Sequence, residues 1–148
     1  SAGARLVIAR PGGHRDPAYL RDLIIRERVT TVHFVPSMLS AMLAEGLDDC
    51  TSLRSVGVGG EELPLDVARA FVAALPDCEL HNTYGPAEAA VDVTSWRCDP
   101  QALAEVSRVP LGGPHPNLRL YVLDEGLGVV PVGVPGELCV AGVGVGRG

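Results

Sequence analysis

Over the first eighty residues, apolar positions fall into short, evenly spaced clusters. Leu6-Val7-Ile8-Ala9 reads as a short buried strand. Asp16-Pro17 then opens a helix, with Asp16 as the cap and proline at the first helical position. Leu20, Leu23 and Ile24 share one face of it at helical spacing. Thr31 to Val35 is the next strand. Ser37 is the expected cap of a second helix, with Met38, Leu39, Met42 and Leu43 inward and Gly46 as its stop. Ser55 to Val58 makes a third strand. Pro64 starts a third helix, with Val67, Ala70, Phe71 and Ala74 inward, and Pro76 ends it. Glu79 to Asn82 is a fourth strand. A helix between each pair of strands is the cadence of βαβ units, which predicts an α/β fold: a parallel sheet flanked by helices.

After Gly85-Pro86 the rhythm changes. Val91 to Trp96 alternates weakly, as a half-exposed strand would. From Pro110 onward Gly and Pro crowd in, and two strand runs, Leu118 to Leu123 and Glu137 to Ala141, lie between them. The only hint of a helix is a turn over Gln101 to Val106. This half predicts antiparallel hairpins. The expected division is residues 1–108 as an α/β subdomain bearing the site loops, and 109–148 as the start of a small antiparallel β-hairpin or barrel subdomain.

The 148 residues suit one domain, or one and part of another. An apolar content of 47% fits a chain that can bury a core. The formal net charge is -6, and all twelve basic residues are arginine. No basic stripe offers a nucleic-acid footprint. Without lysine, this segment can supply no lysine-dependent step. Cys50, Cys78, Cys98 and Cys139 lack any CxxC or zinc-type spacing and read as reduced thiols, which fits a cytoplasmic location. No apolar run is long enough to span a membrane. Ser1 and Gly148 both fall in stretches that read as structured, so an internal piece of a longer chain is expected.

In an open parallel sheet, ligands bind beyond the carboxyl ends of the strands. Two loops are expected there. The first is Gly57-Val58-Gly59-Gly60-Glu61-Glu62-Leu63. It is not a dinucleotide fingerprint, because Glu62 stands where GxGxxG needs its third glycine, which disfavours a NAD-binding oxidoreductase. Its glycines serve either a tight turn or close approach to a flat ligand. The series Gly142, Gly144, Gly146 and Gly148 reads as hairpin glycines. The second loop is Asn82-Thr83-Tyr84-Gly85-Pro86-Ala87-Glu88. Asn82 offers a donor and an acceptor to a purine edge. Tyr84 offers a stacking face. Gly85-Pro86 fixes a turn, and Glu88 offers a hard oxygen to magnesium.

The stretch Asn82-x-Tyr84-Gly85-Pro86-x-Glu88 resembles a core motif of the adenylate-forming enzymes, in particular the adenylation domains of nonribosomal peptide synthetases. Pro11 to Pro17, Gly59-Gly60-Glu61-x-Leu63, Pro110-Leu111-Gly112 with Asn117 and Tyr121 to Asp124, and Gly136-Glu137-Leu138 with Gly142, Gly144, Arg147 and Gly148 are similar to further stretches of that family, in the same order. The resemblance covers essentially the whole chain.

The resemblance implies that a carboxylate attacks the α-phosphorus of ATP, giving an acyl-adenylate and pyrophosphate. The acyl group then passes to the phosphopantetheine thiol of a peptidyl carrier protein. Partners would be an amino-acid substrate, that carrier and the neighbouring synthetase domains. By motif, Asn82 meets the adenine edge, Tyr84 stacks on its face, Gly60 and Glu61 line the nucleotide side with Gly85, and Glu88 ligates Mg2+. His33, Gly57, Gly59, Thr83, Val91 and Asp92 would line the acyl pocket; the polar members suggest a hydroxyl-bearing side chain. The bland alternatives are a core His33 and a solvated Asp92. Ala87 departs from the family's usual threonine, and the missing phosphate contact would cost about 1.5–3 kcal/mol if nothing replaces it. The family's phosphate loop and catalytic lysine have no counterpart here, so the isolated segment is expected to be inactive. Competing readings are an acyl-CoA or aryl-acid ligase of the same superfamily, and a non-catalytic truncated nucleotide-binding module.

Overall fold

The computed structural model describes residues 3–146. Four helices are present among them: α1 (Pro17–Glu27), α2 (Pro36–Glu45), α3 (Leu65–Ala74) and α4 (Pro100–Glu105). Seven strands accompany them: β1 (Thr31–Phe34), β2 (Ser55–Val58), β3 (Glu79–Tyr84), β4 (Thr94–Arg97), β5 (Gly113–Pro114), β6 (Leu118–Leu123) and β7 (Glu137–Gly142). The first five form one sheet in the order β1-β2-β3-β4-β5, and β6 and β7 form a separate antiparallel pair. The chain divides into two compact units, residues 1–82 with 97–110, and residues 83–96 with 111–148.

In the first unit, β1, β2 and β3 are parallel and in step. Thr31 pairs with Ser55 and Ser55 with Glu79; at the other end Phe34, Val58 and Asn82 form one row. Parallel pairing needs a crossover long enough to return the chain, and α2 and α3 provide it. Leu39, Met42, Val56, Val58, Ala68 and Phe71 are fully buried and make the core. Helix starts follow local chemistry. Asp16 caps α1 by accepting the Tyr19 N–H at 3.1 Å, and Asp99 caps α4 by accepting the Ala102 N–H at 2.9 Å. Gly46 ends α2 at φ 94°, which glycine adopts without steric cost.

In the second unit, β6 and β7 pair from Leu118 opposite Gly142 to Leu123 opposite Glu137. Asp124 closes the turn that follows β6, its Oδ1 accepting from the backbone N–H groups of Gly126 and Gly128 at 2.9 and 2.8 Å. That is the side-chain turn chemistry expected of aspartate.

Five expectations from the sequence are corrected. Leu6 to Ala9 is not a strand, and Leu6 and Ile8 are 84% and 82% exposed. An apolar run becomes a strand only where another backbone pairs with it, and none does among the described residues. The segment instead borders an apolar cavity of about 530 Å³ with Leu20, Leu23 and Ile24. Ser37 does not cap α2. Val35 holds that position and Pro36 begins the helix, because its fixed φ and missing N–H suit the first turn. In α3, Ala70 is exposed; the buried stripe runs through Ala68 and Phe71. Val91 cannot extend a strand to Trp96, since Ala90 and Val91 take φ of 60° and 73°. The strand starts at Thr94, and Val93 and Thr94 are both fully buried, so it does not alternate as a half-exposed strand would. Finally, β3 runs through Thr83 and Tyr84, which the sequence places in a loop.

Candidate functional site

The first unit positions its candidates through β2 and the turn that follows. Gly57 lies beside His33 in the register. A Cβ on Gly57 would sit 2.7 Å from His33 Cδ2, so the imidazole packs over the glycine and leaves no room for a side chain. His33 is thus exposed on the sheet and is not a core histidine. Gly59 is buried and donates its N–H to the Phe34 carbonyl at 3.2 Å. Gly60 takes φ 91° with ordinary space around it, so its glycine answers to backbone conformation. Glu61 and Glu62 are exposed, while Leu63, 2% exposed, anchors the end of the turn. None of these residues lines the apolar cavity beside α1.

Asn82 closes the row Phe34-Val58-Asn82 at the carboxyl end of the parallel strands. It is 4% exposed, and its Nδ2 donates to the Pro110 carbonyl at 2.8 Å. That bond commits one of the two Nδ2 protons, so the amide still has its other N–H and its acceptor Oδ1 to offer. The role of the Pro110 carbonyl was not legible in the sequence, because the contact spans 28 residues. Cys78 and Cys98 belong to the same unit, and burial pushes each thiol up to about 11. Such thiols stay protonated and unreactive near neutrality.

In the second unit, Tyr84 ends β3, 37% exposed, with its carbonyl accepting from the Val93 N–H at 2.7 Å. Gly85 is required by contact: a Cβ there would lie 2.3 Å from the Val91 carbonyl oxygen and 2.7 Å from the Val93 nitrogen. The Pro86 carbonyl then accepts from both Ala89 N–H (3.0 Å) and Val91 N–H (3.2 Å), folding residues 87–89 into a single tight 3-10 turn. Ala89 is buried under that turn, whereas Ala87 and Glu88 point outward and are exposed. Val91 and Asp92 are exposed as well, just beyond the left-handed pair Ala90-Val91. A β-branched residue in the left-handed region is strained. Arg147 and Gly148, which close the last sequence motif, lie outside the described residues.

The Glu88 carboxylate makes no ion pair among the described residues. Nor do three His, Cys, Asp or Glu side chains gather to hold a metal among those residues. One solvent-facing carboxylate suits Mg2+, which takes one or two protein carboxylates together with phosphate oxygens and water. It does not suit a metal caged by protein alone. No helix among the described residues is long and apolar enough to cross a membrane.

The family model of the AMP-binding enzymes matches residues 1–148. This chain belongs to that family. Among curated relatives, it is 53% identical over 149 residues to phosphinothricin tripeptide synthetase PhsB of Streptomyces viridochromogenes, covering 100% of this chain and 12% of that protein. It is 45% identical to tyrocidine synthase 3 of Brevibacillus parabrevis, covering 99% of this chain and 2% of that one. The chain therefore spans only a small part of the relatives it matches. Among solved structures, the nonribosomal peptide synthetase FmoA3 superposes with a TM-score of 0.81 at 28% identity, over 90% of this chain and 15% of that one. FmoA3 is also known in AMPPNP-bound and α-methyl-L-serine-AMP-bound forms. The family accounts for the fold, a mixed five-strand sheet with flanking helices and a separate antiparallel pair.

Proposed function

We propose that this AMP-binding segment supplies part of the ATP and acyl site of an amino-acid-activating adenylation domain in nonribosomal peptide synthesis. The observation that carries this reading lies within the first unit. The Gly59-Gly60-Glu61 turn leaves β2 at the same carboxyl edge where Asn82 sits, one strand over. That edge is where open parallel sheets take ligands. In the reading, the Asn82 acceptor meets the exocyclic amine of adenine, and Gly60 and Glu61 line the nucleotide side, the bare backbone at Gly60 letting the ring approach closely. Tyr84 stacks on the base, with Gly85 and Ala87 shaping the turn beside it. Glu88 supplies the carboxylate for Mg2+, whose bound charge offsets that building on the phosphates.

The reaction assigned is attack of the substrate carboxylate oxygen on the α-phosphorus, with the bond to pyrophosphate breaking. The acyl-adenylate would then pass its acyl group to the phosphopantetheine thiol of a peptidyl carrier protein, with neighbouring synthetase domains as further partners. His33, Gly57, Gly59, Thr83, Val91 and Asp92 are assigned to the acyl pocket. The polar members His33, Thr83 and Asp92 favour a hydroxyl-bearing amino acid. The AMPPNP and α-methyl-L-serine-AMP forms of FmoA3 are consistent with both ligand assignments.

Exchange of labelled pyrophosphate into ATP tests the reading, using the full-length protein that carries this segment and a panel of amino acids. Amino-acid-dependent exchange is expected, strongest for hydroxyl-bearing side chains. Glu88→Gln should lower it by on the order of 10²-fold. Preference for large aliphatic acids would remove the polar-pocket assignment, and unchanged exchange in Glu88→Gln would remove the metal assignment.

A further inference from the structure

The glycines after β7 have more to do than turn a hairpin. Gly146 donates its backbone N–H to the Glu88 carbonyl at 2.6 Å, and a Cβ on Gly146 would stand only 3.1 Å from that same oxygen. Gly144 lies alongside, its Cβ position 3.8 Å from the Ala89 carbonyl. All of these residues belong to the second unit. The turn they meet is a single 3-10 turn held internally by the Ala89 and Ala90 N–H groups at 3.0 and 3.3 Å. Turns of this type have poor hydrogen-bond geometry and little stability of their own. An outside donor on the backbone of the residue that carries the carboxylate therefore has large leverage on where that carboxylate sits.

We propose that Gly146 is a positioning residue: its N–H braces the Glu88 turn from behind and so sets the Glu88 carboxylate for the metal that accompanies the nucleotide. This deepens the metal assignment above and rests on it. Glycine is needed because any side chain would press on the carbonyl it must approach. The neighbouring Gly144 amide donates to nothing among the described residues, so the two glycines differ in kind.

The test uses the full-length protein and three variants. Gly146→Pro removes the donor. Gly144→Pro removes an uncommitted amide two residues away and controls for stiffening. Glu88→Gln removes the ligand itself. The first readout is hydrogen–deuterium exchange of the peptide spanning residues 86–92, which should rise in Gly146→Pro and stay unchanged in Gly144→Pro. The second is the Mg2+ concentration giving half-maximal pyrophosphate exchange. It should rise roughly 10-fold in Gly146→Pro, with the amino-acid KM unmoved. Unchanged hydrogen exchange in Gly146→Pro would overturn the brace. Faster hydrogen exchange with an unmoved Mg2+ dependence would overturn the positioning role, provided Glu88→Gln does move it. If Glu88→Gln leaves the Mg2+ dependence unchanged, the metal assignment falls, and the positioning role with it, whatever the hydrogen exchange shows. Should Gly146→Pro fail to fold, Gly146→Ala presses on the same carbonyl more gently, and a smaller shift in the same direction is expected.

Discussion

The two compact units handle their apolar residues in opposite ways. In the first, Leu39, Met42, Val56 and Phe71 are 0% exposed, and two helices complete the crossovers that bury them. In the second, Leu127, Val129, Val132 and Val143 are between 70% and 106% exposed, and β6 and β7 form a pair with no third strand among the described residues. An isolated two-stranded pair is at best marginally stable in water. The contrast teaches that the first unit's order comes from packing, whereas the second, beyond the few residues buried at Ala89, Val93 and Thr94, leans on contacts at specific backbone atoms: Gly85 against Val91, Gly112 against Ser95, Gly146 against Glu88. Cavity-forming mutations should therefore wound the first unit, and single backbone changes the second.

The sharpest way to break that contrast is a pair of truncations. Phe71→Ala removes a fully buried ring and should cost about 3–5 kcal/mol in equilibrium denaturation. Tyr121→Ala, at a position 37% exposed, should cost less than about 1 kcal/mol. Equal losses would show that the second unit has a packed core after all.

A smaller effect is expected at Asn82, where the first unit depends on a polar contact. Asn82→Ala strands the Pro110 carbonyl that now accepts at 2.8 Å. An orphaned buried acceptor costs about 1–3 kcal/mol. Asn82→Asp should fare no better, because a carboxylate oxygen cannot donate to a carbonyl. A loss in nucleotide affinity without any loss in thermal stability would show that the side chain is not the strut described above.

Much of the first unit was legible because its signals are local. Proline at the first helical position, aspartate caps at Asp16 and the helical spacing of Leu23 and Ile24 act within a few residues. The extended reach of β3 was not legible, since Tyr84 joins the strand through Val93, which no local pattern announces. Leu6 to Ala9 misled for the related reason that hydrophobicity marks a segment fit for burial but does not supply the partner. At the site, residue types pointed to the chemistry, while the causes of their placement are long-range. His33 over Gly57 follows from register, the fixed Asn82 amide from Pro110, and the Glu88 turn from Gly146. From sequence, Gly146 reads as a hairpin glycine, and spacing alone cannot reveal what its N–H meets.

The smallest expected effect is electrostatic and lies on the first unit's surface, at the amino end of β3. Glu79 accepts from His81 Nε2 at 3.2 Å and pairs with Arg97 Nη2 at 3.2 Å. The His81 hydrogen bond first, and the Arg97 charge second, hold its carboxyl below the ordinary glutamate value. A carboxyl depressed in the folded state stabilises that state while it is ionised. The contribution is therefore present at neutral pH and is lost as pH falls below about 4. Glu27, held down by Arg5 and then by Arg26, has the same sign. In melting curves taken from pH 7 to pH 3, Glu79→Gln should lose part of the acid-limb slope and match the parent at the acid end. Because these groups are exposed, added salt should shrink the difference between the two proteins. An acid limb unchanged by the substitution would mean that the His81-Glu79-Arg97 cluster is a surface arrangement without energetic consequence, leaving packing and the Asn82 strut to hold the first unit together.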